Sequence, residues 1–202
     1  MTDQVVAIAN QISSILSRDS KPFALVGIDG RSGSGKSSLA KELARNLNAF
    51  VLELDGYHVP METAARLSPG GEVGAMIDYR RFARDVIDPI EANEQPVYRW
   101  ASALRDYDHG EVRLRPSLLI VDGTFSCRSV LWPAYQFRIL VERDRSDAIE
   151  GAKSRDSELP SRWLQYIHEV WIDDEDRHMT ELEDLEFDIR VAWDDICHLA
   201  NG

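Results

Sequence analysis

Residues 30–37 read Gly-Arg-Ser-Gly-Ser-Gly-Lys-Ser, which fits the spacing G-x-x-x-x-G-K-[ST] without a mismatch. Glycines at these positions let the main chain reach positive φ and bring bare N–H groups against an anion. A lysine directly after them supplies a cation that reaches the β and γ oxygens of a triphosphate, and the next hydroxyl suits Mg²⁺. Gly30, Ser32, Gly33, Ser34, Gly35, Lys36, Ser37 and Ser38 are therefore candidate nucleotide ligands, with Lys36 also a catalytic candidate. The helical pattern that follows, with Leu39, Leu43 and Leu47 on one face, adds the partial positive charge of a helix N-terminus.

Such a loop needs a carboxylate to complete the metal site. The stretch "SLLIVDG" (117–123) ends an apolar strand on Asp122, placed to act with Ser37 in holding Mg²⁺. A second acid, Asp55, follows the short apolar run "FVLEL" (50–54).

Strands and helices must alternate to bring these residues together. The periodicity predicts a helix over 3–17, strands at 22–29, 50–54, 117–123, 137–142 and 187–193, and helices over 36–47, 78–90, 144–155 and 161–183. Asp78 is a candidate N-cap, and Phe82, Val86 and Ile90 share an apolar face. Apolar strands alternating with helices imply a mostly parallel five-stranded sheet covered on both faces, a three-layer α/β/α arrangement. Ligands of such sheets bind beyond the carboxyl ends of the strands, where the glycine loop, Asp55 and Asp122 all fall. The run 96–116 alternates around "DHG" and reads as a hairpin insertion, a candidate dimer contact. No repeat or linker divides the chain, so residues 1–202 form one predicted domain.

Composition narrows the function classes. The formal net charge of −12 disfavours nucleic-acid and anionic-membrane partners. Two cysteines, Cys127 and Cys197, give neither a disulfide framework nor a zinc spacing and suit a reducing, cytoplasmic setting. No NKxD-type guanine signature is present. The acidic runs at 173–177 and 181–186 read as solvated faces, His168 and His178 lack ligand spacing, and Arg80, Arg81 and Arg84 read as facing water.

Taken in order, "GIDGRSGSGKSS", "LDGYHVP", "PVYRWASALR", "LLIVDG" and "RILVERDRSDAIEGAKSRD" resemble the uridine kinase/phosphoribulokinase group of P-loop kinases over residues 22–156. The resemblance implies an ATP- and Mg²⁺-dependent phosphotransferase acting on a hydroxyl of a small metabolite, nucleoside or sugar-like. It implies that Asp55 is the catalytic base, that Tyr57 and His58 lie beside the substrate, and that Tyr98 and Arg105 flank the acceptor. It also implies a lid over about 150–165 whose Arg155 closes on the γ-phosphate. Departures are visible: Arg99 replaces an aspartate, Ala103 replaces a histidine, and Gly151 and Ala152 stand at arginine positions, for which Lys153 and Arg162 are the candidate substitutes. Arg99 suits an anionic acceptor. The missing lid arginines favour a rival reading, an ATP-binding regulatory module without turnover.

Overall fold

The computed structural model describes residues 3–17, 22–60, 63, 70–102, 108–115, 118–157, 159, 161, 164 and 170–201. Arg105 and Arg162, and most of the lid beyond 157, lie outside the described residues, as do Ala103 and His168.

Among the described residues, seven strands form two sheets. Helix α1 (Asp3–Leu16) leads into β1 (Ala24–Gly30), then α2 (Lys36–Leu47) and β2 (Phe50–Glu53). A 3-10 turn covers Leu54–Tyr57. Helix α3 follows in three segments: Tyr79–Phe82, a π-helical Ala83–Ile87, and Asp88–Glu91. Asp78 caps it by accepting a hydrogen bond from the Arg81 N–H at 2.9 Å. Strands β3 (Val97–Ser102) and β4 (Asp108–Arg113) make the antiparallel hairpin. Then come β5 (Leu118–Asp122), β6 (Phe137–Glu142), α4 (Arg145–Arg155), α5 (Ile172–Glu183) and β7 (Ile189–Ala192). The short helix α6 (Trp193–Ile196) and a 3-10 turn (Cys197–Asn201) end the chain.

The main sheet has the order β2-β5-β1-β6-β7, and every pairing in it is parallel. Alternation along β1 explains the two cores. Leu25 packs with Phe82, Val86 and Phe125 on one face. Val26 and Ile28 pack with Val5, Ile8, Ile12, Leu39 and Leu43 of α1 and α2 on the other. The near-continuous apolar strands follow from burial on both sides. This register sets Asp122 level with Ile28, two residues before the glycine loop begins. Among the described residues, no helix is long and apolar enough to cross a membrane.

Candidate active site

The glycine loop turns between β1 and α2 in the shape its sequence demands. Gly33 (φ 79°) and Gly35 (φ 87°) are left-handed. A Cβ at Gly33 would strike the Ala148 carbonyl of α4, and one at Gly35 would strike the Trp193 ring. Only glycine fits on both counts. Lys36 is buried, and its Nζ donates to the Arg31 carbonyl at 3.1 Å across the loop. Ser32, Gly33, Gly35, Lys36, Ser37 and Ser38 all line one cavity of about 1320 Å³. Gly30 and Ser34 stand behind that wall: the Ser34 N–H donates to the Arg31 carbonyl at 3.0 Å and closes the turn.

Asp122 lines the same cavity and is 4 % exposed. Burial pushes its carboxyl up to about 6, against the opposing pull of Lys36 and a hydrogen bond from Ser37. Its Oδ1 has no hydrogen-bond partner within the described residues. A buried carboxylate oxygen without a partner, beside a serine hydroxyl, fits a hard cation that prefers oxygen donors. Ser37 and Asp122 thus suit Mg²⁺.

Asp29, at the end of β1, ties the two loops together. Its Oδ1 accepts from the Gly30 N–H at 2.6 Å and the Phe125 N–H at 3.2 Å, and its Oδ2 accepts from the Cys127 N–H at 2.7 Å. These bonds hold Phe125 at φ 72°, a left-handed conformation unusual for a bulky residue. His178 Nε2 reaches Asp29 Oδ2 at 2.9 Å from α5.

The acceptor side presents Asp55, Gly56, His58, Met76, Tyr98, Trp100 and Val112. His58 is 4 % exposed, and burial lowers its imidazole below the ordinary value although Asp55, 3.8 Å away, pulls it up. Neither ring nitrogen has a hydrogen-bond partner within the described residues. A neutral imidazole beside a carboxylate can donate from one nitrogen and accept at the other. Tyr98 and Trp100 stack with ring centroids 5.4 Å apart at 29°. Tyr98 is anchored by its hydroxyl, which donates to the Glu53 carbonyl at 3.0 Å.

Several residues sit elsewhere than the sequence implies. Tyr57 is fully buried, with its ring edge-on to Phe82 at 5.0 Å and its hydroxyl accepting from the Arg99 N–H at 3.2 Å. Burial raises that hydroxyl to about 12, and the residue is a core member rather than a cavity wall. Arg99 points its guanidinium at Asp85 (3.1 Å) and Glu111 (3.2 Å), so its charge is neutralised away from the cavity and gives no support to an anionic acceptor. Arg81 does not simply face water: it donates to the Gly56 carbonyl at 3.0 Å and lies 4.5 Å over the Tyr57 ring. Arg80 and Arg84 are exposed, Arg84 paired with Asp85.

The acidic run 173–177 is a larger correction. Asp174 and Glu175 are buried, and Asp176 joins Arg31 (2.6 Å) to Arg145 (2.8 Å). Glu175 and Asp176 meet the phosphate loop, Asp174 pairs with Arg177 of its own helix, and Asp173 stays exposed.

The cation side also differs. Arg155 lines the cavity but holds Asp156 in a two-point pair, both at 2.6 Å. Arg143, just after β6, was not singled out by any motif. It donates to the Gly33 carbonyl at 2.5 Å, lies 4.3 Å over the Trp193 ring, and lines the cavity. A Cβ at Gly151 would stand 2.9 Å from its Nη1. Arg143 and Gly151 thus lie against each other at the edge of the loop.

No protein-family model matches the sequence, and no curated protein matches it significantly. Solved structures do. A protein from Silicibacter sp. TM1040, provisionally assigned as a fructose transport system kinase, aligns with a TM-score of 0.72 at 22% identity, covering 94% of this chain and 98% of that one. A protein from Bacillus stearothermophilus, provisionally assigned as a uridine kinase, aligns with a TM-score of 0.68 at 18% identity over 94% of this chain and 97% of that one. The parallel sheet order, the glycine loop after β1 and these alignments agree: the chain has the α/β fold of P-loop kinases.

Proposed function

We propose that the protein is an ATP- and Mg²⁺-dependent kinase that phosphorylates a hydroxyl of a small, nucleoside- or sugar-like metabolite. One observation carries this reading: the glycine loop, the unpartnered Asp122 oxygen and Asp55 all face a single cavity. A nucleotide-binding module needs the first two of these. A kinase needs all three.

Phosphoryl transfer asks little covalent chemistry of a protein, so position and charge do most of the work. The loop amides and Lys36 hold the triphosphate, while Ser37 and Asp122 would hold the metal, which would supply positive charge against the phosphates. Asp55 accepts the proton of the acceptor hydroxyl as that oxygen bonds to the γ-phosphorus and the β–γ bridging bond breaks to leave ADP. His58, neutral and buried, orients a second polar group of the acceptor. Tyr98 and Trp100 offer a flat aromatic face to a base or to the C–H face of a sugar. The two solved neighbours, assigned to fructose and uridine chemistry, support that acceptor class.

The test is acceptor-dependent ADP release across a panel of nucleosides, sugars and sugar alcohols with MgATP. Release that rises at least tenfold over background with one acceptor class, and vanishes in Asp55→Asn, is the expected result. Tight ATP binding with no acceptor response across the panel would instead support the regulatory module.

A further inference from the structure

Helix α5 grips three residues around the phosphate loop at once. His178 meets Asp29, Asp176 meets Arg31, and Glu175 Oε1 accepts from the Ser32 N–H at 2.9 Å. The third contact differs in kind from the other two. Glu175 is 2 % exposed, lines the cavity, and occupies a main-chain donor of the loop itself. The Trp171 indole N–H donates to the same oxygen at 2.6 Å and to Ser32 Oγ at 3.1 Å. A carboxylate oxygen held this way does at that amide what a phosphoryl oxygen does in a filled phosphate loop.

The end of the triphosphate concerned can be read from Lys36. Its ammonium bonds the Arg31 carbonyl, immediately before Ser32, so it lies at the same end of the loop. A lysine in this position reaches the β and γ oxygens, whereas the helix N-terminus beyond Gly35 faces the inner phosphates. Glu175 therefore stands at the γ end.

Resting on the nucleotide reading above, we propose that Glu175 is a γ-phosphate gate. Its carboxylate holds the Ser32 amide until the terminal phosphate of ATP displaces it, and it recaptures the amide once that phosphate has been transferred. ATP must break a charge-assisted hydrogen bond and bring one anion beside another. ADP stops short of that amide and meets neither cost. A group that interacts differently with two ligands changes the ratio of their affinities, and Glu175 thus sets the preference between ATP and ADP. The displacement also reaches the acceptor side, because the Trp171 ring packs edge-on to His58 at 5.6 Å, and His58 lies beside Asp55.

The experiment is calorimetric titration of MgATP and MgADP into the wild type and Glu175→Gln, with melting curves to show that each is folded. Glutamine keeps the acceptor oxygen but removes the charge. ATP is expected to bind about tenfold more tightly, a change of about 1.4 kcal/mol, with ADP moving less than about twofold. Glu175→Ala, which removes the group altogether, should shift ATP in the same direction and leave ADP nearly unchanged. Equal tightening of both nucleotides, no change, or weaker ATP binding in both variants would overturn the gate while leaving the nucleotide site intact. A wild type that binds neither nucleotide would instead remove the reading on which the gate rests.

Discussion

The two halves of the cavity are built in opposite ways. The phosphate half is centred on one unbroken stretch, residues 30–38, which offers its main chain, with Asp122, Arg143 and Glu175 added from other elements. The acceptor half is assembled from β2, the 54–57 turn, the segment before α3 and both hairpin strands, and it binds through side chains. Main-chain recognition depends on φ and on glycine, which are local properties. Side-chain recognition depends on which distant elements meet, and a short motif does not contain that information.

Removing Lys36, the buried cation of the phosphate half, should give the largest effect. Lys36→Ala is expected to lower phosphotransfer by roughly 10³-fold or more while the melting temperature changes little, measured by steady-state assay and calorimetric melting. If the halves are separable in function, Asp55→Asn should lower kcat by roughly 10²- to 10⁴-fold yet leave the KM for ATP nearly unchanged. A parallel rise in that KM would show that Asp55 belongs to the phosphate half instead.

Asp122 sharpens the comparison through its protonation. Its carboxyl is raised by burial to about 6 against an ordinary value of 3.8. The folded state therefore binds this proton more tightly than the unfolded state does. Metal-free stability from this group is present at low pH and is lost as pH climbs from about 4 through about 6. Asp122→Asn should abolish Mg²⁺-dependent turnover and, at pH 7 without metal, stabilise the fold by on the order of 2 kcal/mol in urea denaturation. In the wild type, Mg²⁺-supported nucleotide binding should weaken below about pH 6, as the carboxylate protonates. The smallest effect belongs to the acceptor wall: Trp100→Ala should raise the acceptor KM by roughly tenfold, about 1–1.5 kcal/mol, with the KM for ATP unchanged.

The fold was largely legible. All five sheet strands, α1, α2, α4, the Asp78 cap and the hairpin fall where periodicity and turn residues put them, and the central strands β1, β5 and β6, buried on both faces, leave the clearest apolar runs. The phosphate half was legible for the local reason given above. What escaped was long-range polar pairing. Glu175 and Asp176 look solvated in sequence, yet their partners include Ser32, Arg31 and Arg145, at least 31 positions away; Asp174 is buried beside Arg177 of its own helix. Tyr57 follows a motif that points to substrate, yet the turn at 54–57 rotates it into the core against Phe82. Arg99 carries the right charge for an anionic acceptor, but on its strand it opposes Glu111 and spends that charge across the hairpin. Arg143 was hidden because its partners, the Gly33 carbonyl and the Trp193 ring, lie far from it in sequence.

Titration calorimetry of MgATP into the purified protein tests the central claim most directly. A one-site binding heat that needs Mg²⁺ and disappears in Lys36→Ala is the expected result. No binding heat at all, or heat of equal size in the wild type and Lys36→Ala, would contradict a triphosphate seated on the 30–38 loop.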